Sequence, residues 1–172
     1  MATTSGRTTA RDFAVLALRA GVGGTLIAHG AQKMFGAFGG PGLERAGAGF
    51  ETMGFTNGKQ HARLAAATEI GGGALMIAGG ATPAAAAATL GTMAVATAVH
   101  APNGFFASNG GFEFPALLAL TGTAIGIAGP GKFSLDAATG DRLNRPWMRG
   151  VALGAAAAGA AGFVSMLRGN RA

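Results

Sequence analysis

Five stretches of mostly apolar residues, each long enough to cross a bilayer as a helix, fill most of this 172-residue sequence. They run from about Phe13 to Phe35, Ala62 to Gly80, Pro83 to Ala101, Phe112 to Gly129, and Met148 to Leu167. Only 12% of the residues are charged, about half the ~25% of an ordinary soluble domain. A soluble fold would have almost no charged shell to cover so much apolar surface. The same imbalance excludes disorder. The 32 glycines follow no G-x-y period, so collagen is excluded, and membrane helices use Gly for close approach. No cysteine is present, which rules out disulfides, thiolate metal sites, Cys-ligated iron–sulfur clusters and thiol catalysis by the chain itself. The expected fold is all-α: a polytopic four-helix membrane bundle with an extra fifth helix at the C-terminal end.

The connections set the organisation. Residues 1–12 read as an N-terminal tail and 13–129 as the four-helix bundle. Within that bundle, 36–61 is too polar and Gly-rich to span. Leu43, Ala46, Gly47, Phe50 and Met53 recur there at helical spacing beside Glu44, Arg45 and Glu51, the pattern of a short amphipathic helix in the membrane interface; a solvated loop is the alternative. Only Ala81 and Thr82 separate windows two and three, and Pro83 then opens the next helix, so a tight hairpin is expected. Residues 130–147 carry Lys132, Asp136, Asp141, Arg142 and Arg145. They read as a hydrated linker, with Trp147 as an interfacial anchor. Residues 148–167 form the extra helix and 168–172 a tail.

Arg7 and Arg11 before an apolar run look like a signal peptide, but Arg19 interrupts the run and no small-residue cleavage site follows. A retained first helix is expected. Basic residues divide six and six between the two faces: Arg7, Arg11, Lys132, Arg142, Arg145 and Arg149 against Lys33, Arg45, Lys59, Arg63, Arg168 and Arg171. Setting the fifth helix and tail aside tips the count toward a cytoplasmic N-terminus. The net charge of +6 suits anionic headgroups, and no basic stripe or RNA-binding aromatic motif points to nucleic acid.

Ionisable residues inside spans are costly, so each is a candidate for function. They are Arg19, His29, Lys33, Glu69, His100 and Glu113. Tracing the chain across the membrane places all but Arg19 toward the face opposite the N-terminus. His29 and Lys33 share a face four residues apart. Glu69 lies roughly 10 Å into the second helix, and Gly72 and Gly73 beside it let a partner approach. Arg19 either snorkels to the other face or meets Asp12, seven residues earlier on the same side. The plain readings stand beside these: a Glu paired with Lys only to fix register, and a His100 simply at the interface. His29 and His100 could serve as two axial haem ligands, but two histidines near one membrane face are common without haem, and His29, His100, Glu69 and Glu113 lack the tight ligand spacing of a metal site. Gly122/Gly126 and Gly150/Gly154 are small-xxx-small pairs, suited equally to internal packing and to a homo-oligomer.

Several of these residues fall in motifs that resemble the DoxX family. They are Leu18-Arg19-Ala20-Gly21, His29-Gly30-Ala31-Gln32-Lys33-Met34-Phe35-Gly36, Glu69-Ile70-Gly71-Gly72 and His100-Ala101-Pro102-Asn103-Gly104-Phe105-Phe106. Gly110-Gly111-Phe112-Glu113-Phe114-Pro115 and Gly129-Pro130-Gly131-Lys132-Phe133-Ser134-Leu135-Asp136 follow in order. The resemblance spans about residues 11–140. It implies a bacterial inner-membrane four-helix bundle that works beside redox systems. Relatives include the membrane subunit of a thiosulfate:quinone oxidoreductase, and proteins associated with superoxide dismutase and thiol-handling enzymes in mycobacteria. The family's polar positions fall on Arg19, His29, Lys33, Glu69, His100, Asn103 and Glu113. Phe114 stands where a Tyr is common, which removes a phenolic donor, and Thr56-Asn57 replaces a Pro often found before the second helix.

The leading expectation is a membrane subunit of an oxidoreductase or redox-stress assembly, with a quinone- or proton-linked pocket. Glu69 and Glu113 would accept protons, His29 and His100 would hydrogen-bond a headgroup and relay protons, and Lys33 would stabilise negative charge. Asn103 joins His29, Glu69 and His100 as a candidate for binding the carrier. The alternatives are a non-catalytic accessory subunit and, behind it, a proton-coupled transporter, for which no inverted repeat is visible.

Overall fold

The computed structural model describes residues 5–169. Residues 1–4 and 170–172 of the two expected tails lie outside them, as do the side chains of Arg7, Arg168 and Arg171 used above for orientation. Among the described residues the chain is all-α, with no strand. The helices are α1 (Ser5–Phe35), α2 (Gly42–Thr52), α3 (Gly58–Ala78), α4 (Thr82–His100), α5 (Glu113–Ala128), α6 (Leu135–Ala138) and α7 (Pro146–Gly169). The first helix begins well ahead of its apolar window. Its additional N-terminal turns are polar enough to continue past the bilayer core.

α1, α3, α4 and α5 close a ring: α1 packs on α3, α3 on α4, α4 on α5, and α5 returns to α1. All four feed one core, with Val22 and Leu26 from α1, Met76 from α3, Ala85 and Met93 from α4, and Leu118 and Ile125 from α5. This is the expected four-helix bundle. α7 lies outside the ring, chiefly against α4, and its outer end docks through Phe163. That ring sits 5.5 Å from Phe55 and 5.7 Å from His61, within an aromatic cluster completed by Phe50.

Outward-facing apolar side chains fit a membrane protein. Phe13, Leu64, Leu117, Leu120, Ile127 and Val151 are all more than half exposed, a surface that water disfavours and lipid accepts. Three helical segments are long and apolar enough to span: Ala10–Phe35, Thr82–Asn103 and Pro146–Leu167. Glu113–Ala128 is apolar but shorter. The second window falls on α3, whose N-terminal half carries Lys59, His61 and Arg63, with Glu69 just past its middle. α3 is therefore held in the bundle by its neighbours more than by its own hydropathy.

Glycines set the helix separations. A Cβ at Gly23 would lie 2.6 Å from the Gly73 carbonyl oxygen, and one at Gly30 2.7 Å from that of Ala66. α1 and α3 therefore approach at backbone contact along two turns. Gly122 and Gly126 of α5 instead make room for the side chains of Thr89 and Ala86 of α4, so this pair packs within the chain. Gly150 and Gly154 meet nothing within 4 Å.

The expected amphipathic helix forms as α2. Its buried residues, Ala46 and Gly47, face α3, with Gly47 close against Lys59, and Glu44 pairs with Lys59. The segment 130–147 differs from a hydrated linker. It folds back onto the bundle, and Asp136 and Asn144 are buried at 2% and 1% exposure.

The reason is a polar knot at the N-terminal face. Arg19, 1% exposed, neither snorkels nor pairs with Asp12. Its guanidinium donates to four backbone carbonyls: Nε to Met76 (2.9 Å), Nη2 to Ile77 (2.6 Å), and Nη1 to Pro130 (2.7 Å) and Phe133 (2.8 Å). The Ile77 carbonyl, at the end of α3, has no further helical turn to bond and takes its donor from the buried guanidinium, while the Met76 carbonyl also accepts the Gly79 amide at 3.2 Å. Asp136 completes the turn. Its Oδ1 accepts from the Ala81 amide at 2.8 Å, and Oδ2 from the Thr82 amide (2.8 Å) and hydroxyl (2.7 Å). The carboxylate thus caps α4 at its positive end. It also holds Ala81 at φ 44°, left-handed without being glycine.

Arg19→Met should therefore lower stability by roughly 3–5 kcal/mol, because several buried carbonyls lose charged donors at once. Arg19→Lys should lose less, since one ammonium cannot reach four carbonyls. Thermal unfolding in detergent checks both, and equal melting temperatures for all three proteins would contradict the assignment.

Candidate functional site

At the other end of α1, the same close packing brings two charges together. Ala62, Ala66, Glu69, Gly73 and Met76 are among the buried residues of α3. They follow alternating steps of four and three, one stripe of a helix. Lys33 lies on the facing stripe of α1. With Gly30 against Ala66, the Lys33 ammonium reaches both oxygens of Glu69, donating to Oε1 at 2.8 Å and Oε2 at 2.6 Å. The Glu69 side chain is 5% exposed and that of Lys33 25%. A carboxylate so buried is tolerable only because the ammonium neutralises it.

His29 lies one turn before Lys33, within electrostatic reach of both charges. It is half-buried, and its ring packs 5.3 Å from that of Phe114 at the start of α5. Among the described residues, neither His29 nitrogen has a hydrogen-bond partner. The constellation is thus a neutralised acid–base pair beside an imidazole with free nitrogens. Chemically it can hold a proton on Glu69 or His29, and it can offer N–H donors from Lys33 and His29.

The remaining candidates sit differently. His100 Nδ1 donates to the Gly110 carbonyl at 2.9 Å, and Asn103 Nδ2 donates to the same oxygen at 3.1 Å. Both pin the loop between α4 and α5, whose strands of backbone also pair through the Phe112 and Glu113 amides to Gly104 and Phe105. Glu113 opens α5, next to the Phe114 that touches His29. Its carboxylate has no hydrogen bond or ion pair among the described residues. The structure therefore brings His29, Lys33 and Glu69 together, and it gives His100 and Asn103 a loop-fastening contact. Arg19 and Asp12 do not form the expected ionic pair. Asp12 Oδ1 instead accepts from the Lys132 amide at 3.1 Å. Among the described residues, no group of three His, Asp or Glu side chains is placed to hold a metal ion.

The residues that sequence reasoning missed are Asp136, Thr82, Asn144 and Arg149 at the N-terminal face. One signal was present: Ser134 caps α6 by accepting from the Ala137 amide, and Ser followed by Asp is a helix-start pattern. Nothing local announced that Asp136 would also cap a helix 54 residues earlier.

A ring of four helices crossed by apolar segments, with charges buried at its inner contacts, defines a multi-pass membrane protein. The chain belongs to the DoxX family, whose sequence model matches residues 14–102. That match takes in Arg19, His29, Lys33, Glu69 and His100, while Asn103, Glu113 and Asp136 lie beyond it. No curated protein and no solved structure matches the chain.

Removing one member of the Lys33–Glu69 pair should cost roughly 3–5 kcal/mol, because the other charge is left buried and alone. The double variant Lys33→Met with Glu69→Leu should recover much of that loss. A double-mutant cycle in detergent measures it, and additive losses would mean that the two groups do not stabilise each other.

Proposed function

We propose that this chain is the membrane subunit of an oxidoreductase or redox-stress assembly, and that His29, Lys33 and Glu69 form its proton-linked site. The observation that carries the reading is a nearly buried carboxylate, held by an ammonium and set beside an imidazole with unused nitrogens. Family membership supports a membrane role of this kind. The absence of cysteine from the sequence means that any thiol step belongs to a partner protein, which would also deliver the electrons.

The donor set fits a quinone headgroup, because such a carrier presents carbonyl oxygens and Lys33 and His29 present N–H groups. A quinone, when bound, would supply two-electron carrier chemistry. Lys33 would hold negative charge developing at an oxygen beside it. Glu69 would hold a proton, and His29 would pass it toward the solvent-facing loop pinned by His100 and Asn103. Glu113, at the mouth of that loop, is the next acceptor in line.

The test is quinone-linked turnover by the assembly purified in mild detergent. Glu69→Gln should reduce turnover about a hundredfold while the partner still co-purifies. Unchanged turnover with an intact assembly would sink the catalytic reading. It would favour the alternative of a non-catalytic accessory subunit, in which the Lys33–Glu69 pair only locks α1 against α3.

The N-terminal face is assigned to the cytoplasm of a bacterial inner membrane. The chain's lack of cysteine makes single-cysteine labelling direct. Gln60→Cys should react with an impermeant maleimide on intact cells, and Arg142→Cys only after permeabilisation. The reverse pattern would invert the orientation.

A further inference from the structure

A second polar site lies at the opposite end of α1 from Glu69. The start of α1, the turn after α5 and the start of α7 border an open recess of about 230 Å³, several times the ~30 Å³ share of one water. Arg11, Asp12, Lys132, Asp141, Asn144 and Arg149 contribute its charged and polar lining.

Its wiring leaves both signs of charge unspent. Asp12 is 2% exposed, and Oδ1 accepts the Lys132 amide, but the buried Oδ2 has no hydrogen-bond partner. Leaving a carboxylate oxygen so placed costs free energy unless a donor arrives. On the cationic side, Arg11 spends one N–H on the Ala128 carbonyl. Arg149 is aimed by Asn144, whose Oδ1 accepts from Nε at 2.8 Å, and Nη1 and Nη2 each donate at 3.3 Å to the carbonyls of Ile127 and Asn144, which leaves one N–H on each terminal nitrogen. Asn144 is itself held by Asp141 at 2.8 Å. The Lys132 ammonium has no hydrogen-bond or ion-pair partner among the described residues. A pure anion would satisfy the arginines and leave Asp12 wanting, and a pure cation would do the reverse.

The surroundings are apolar and outward-facing. Phe13 and Phe133, next in sequence to Asp12 and Lys132, stack at 4.9 Å and are 56% and 46% exposed. Trp147 is 65% exposed on the same face. A charged recess whose lining residues Asp12 and Lys132 are followed in sequence by exposed, paired aromatics, at the end of a spanning helix, has the composition of a headgroup-level site.

We infer that this recess binds an ammonium–phosphate zwitterion, the chemistry of a phosphoethanolamine headgroup. The phosphate sits among Arg11, Lys132 and Arg149, and the primary ammonium donates to Asp12 Oδ2. Free phosphoethanolamine carries the same groups, and contact with the exposed aromatics is what a lipid would add.

The test is lipid retention by the full chain, read by native mass spectrometry after exchange into equimolar phosphatidylethanolamine, phosphatidylglycerol and phosphatidylcholine. Phosphatidylethanolamine should be retained about tenfold over the other two, because only it offers N–H donors beside the phosphate. Asp12→Asn should erase that preference, and Arg149→Gln should weaken retention of all three. Because either variant can fail to fold, the wild-type comparison decides alone. Equal retention of phosphatidylglycerol, or no retention above bulk lipid, overturns the proposal and leaves Asp12 Oδ2 to water. Displacement by free phosphoethanolamine supports the chemistry with a soluble source, and resistance to it supports the lipid.

Discussion

The contact on which the rest of this molecule depends is one guanidinium donating to four carbonyls. Arg19 joins the end of α3 to the turn after α5 from inside α1. Without it, the carbonyls of Ile77, Pro130 and Phe133 would face a low-dielectric interior unpaired. A lysine has the charge but not the fork of donors. The bundle ring closes at this face because Asp136, carried by the same turn, caps α4 in the next connection. Two side chains of opposite charge thus organise three connections without needing to touch each other.

The position of these charges explains what was legible in the sequence. Asp12, Val15, Arg19, Val22 and Leu26 are all buried and step by threes and fours along α1. Arg19 and Asp12 therefore occupy the same stripe as the core, which a chain in lipid tolerates only where partners exist. The stripe marked them as important, and chain direction separated Arg19 from the His29–Lys33–Glu69 group. The sequence could not name the partners, because those are backbone carbonyls more than fifty residues away and carry no side-chain signature. Asp12 is the acidic side chain that shares Arg19's stripe, yet the guanidinium bonds only carbonyls.

The same limit applies to the 130–147 segment. Charges and glycines make it read as hydrated, and Lys132, Arg142 and Arg145 are indeed exposed. Asp136 and Asn144 are buried because each satisfies backbone or guanidinium groups that would otherwise be orphaned. Helix windows were readable because hydropathy acts locally. α3 shows the opposite case: its polar N-terminal half weakens its own signal, and packing against α1, α2 and α4 supplies what hydropathy does not.

The two ends of α1 also differ in their electrical completeness. At one end Lys33 and Glu69 neutralise each other, and at the other Asp12 keeps a buried oxygen without a donor. A closed pair changes state only when a proton alters it. Placing one on Glu69 removes the charge that holds the ammonium, frees Lys33 to turn to another acceptor, and leaves the α1–α3 glycine contact to keep the helices in register. Under the proposed function, proton movement and ligand contact at that end would be linked through one lysine. Asp12 instead awaits a donor, and Arg19, bound to carbonyls, is not available to supply it.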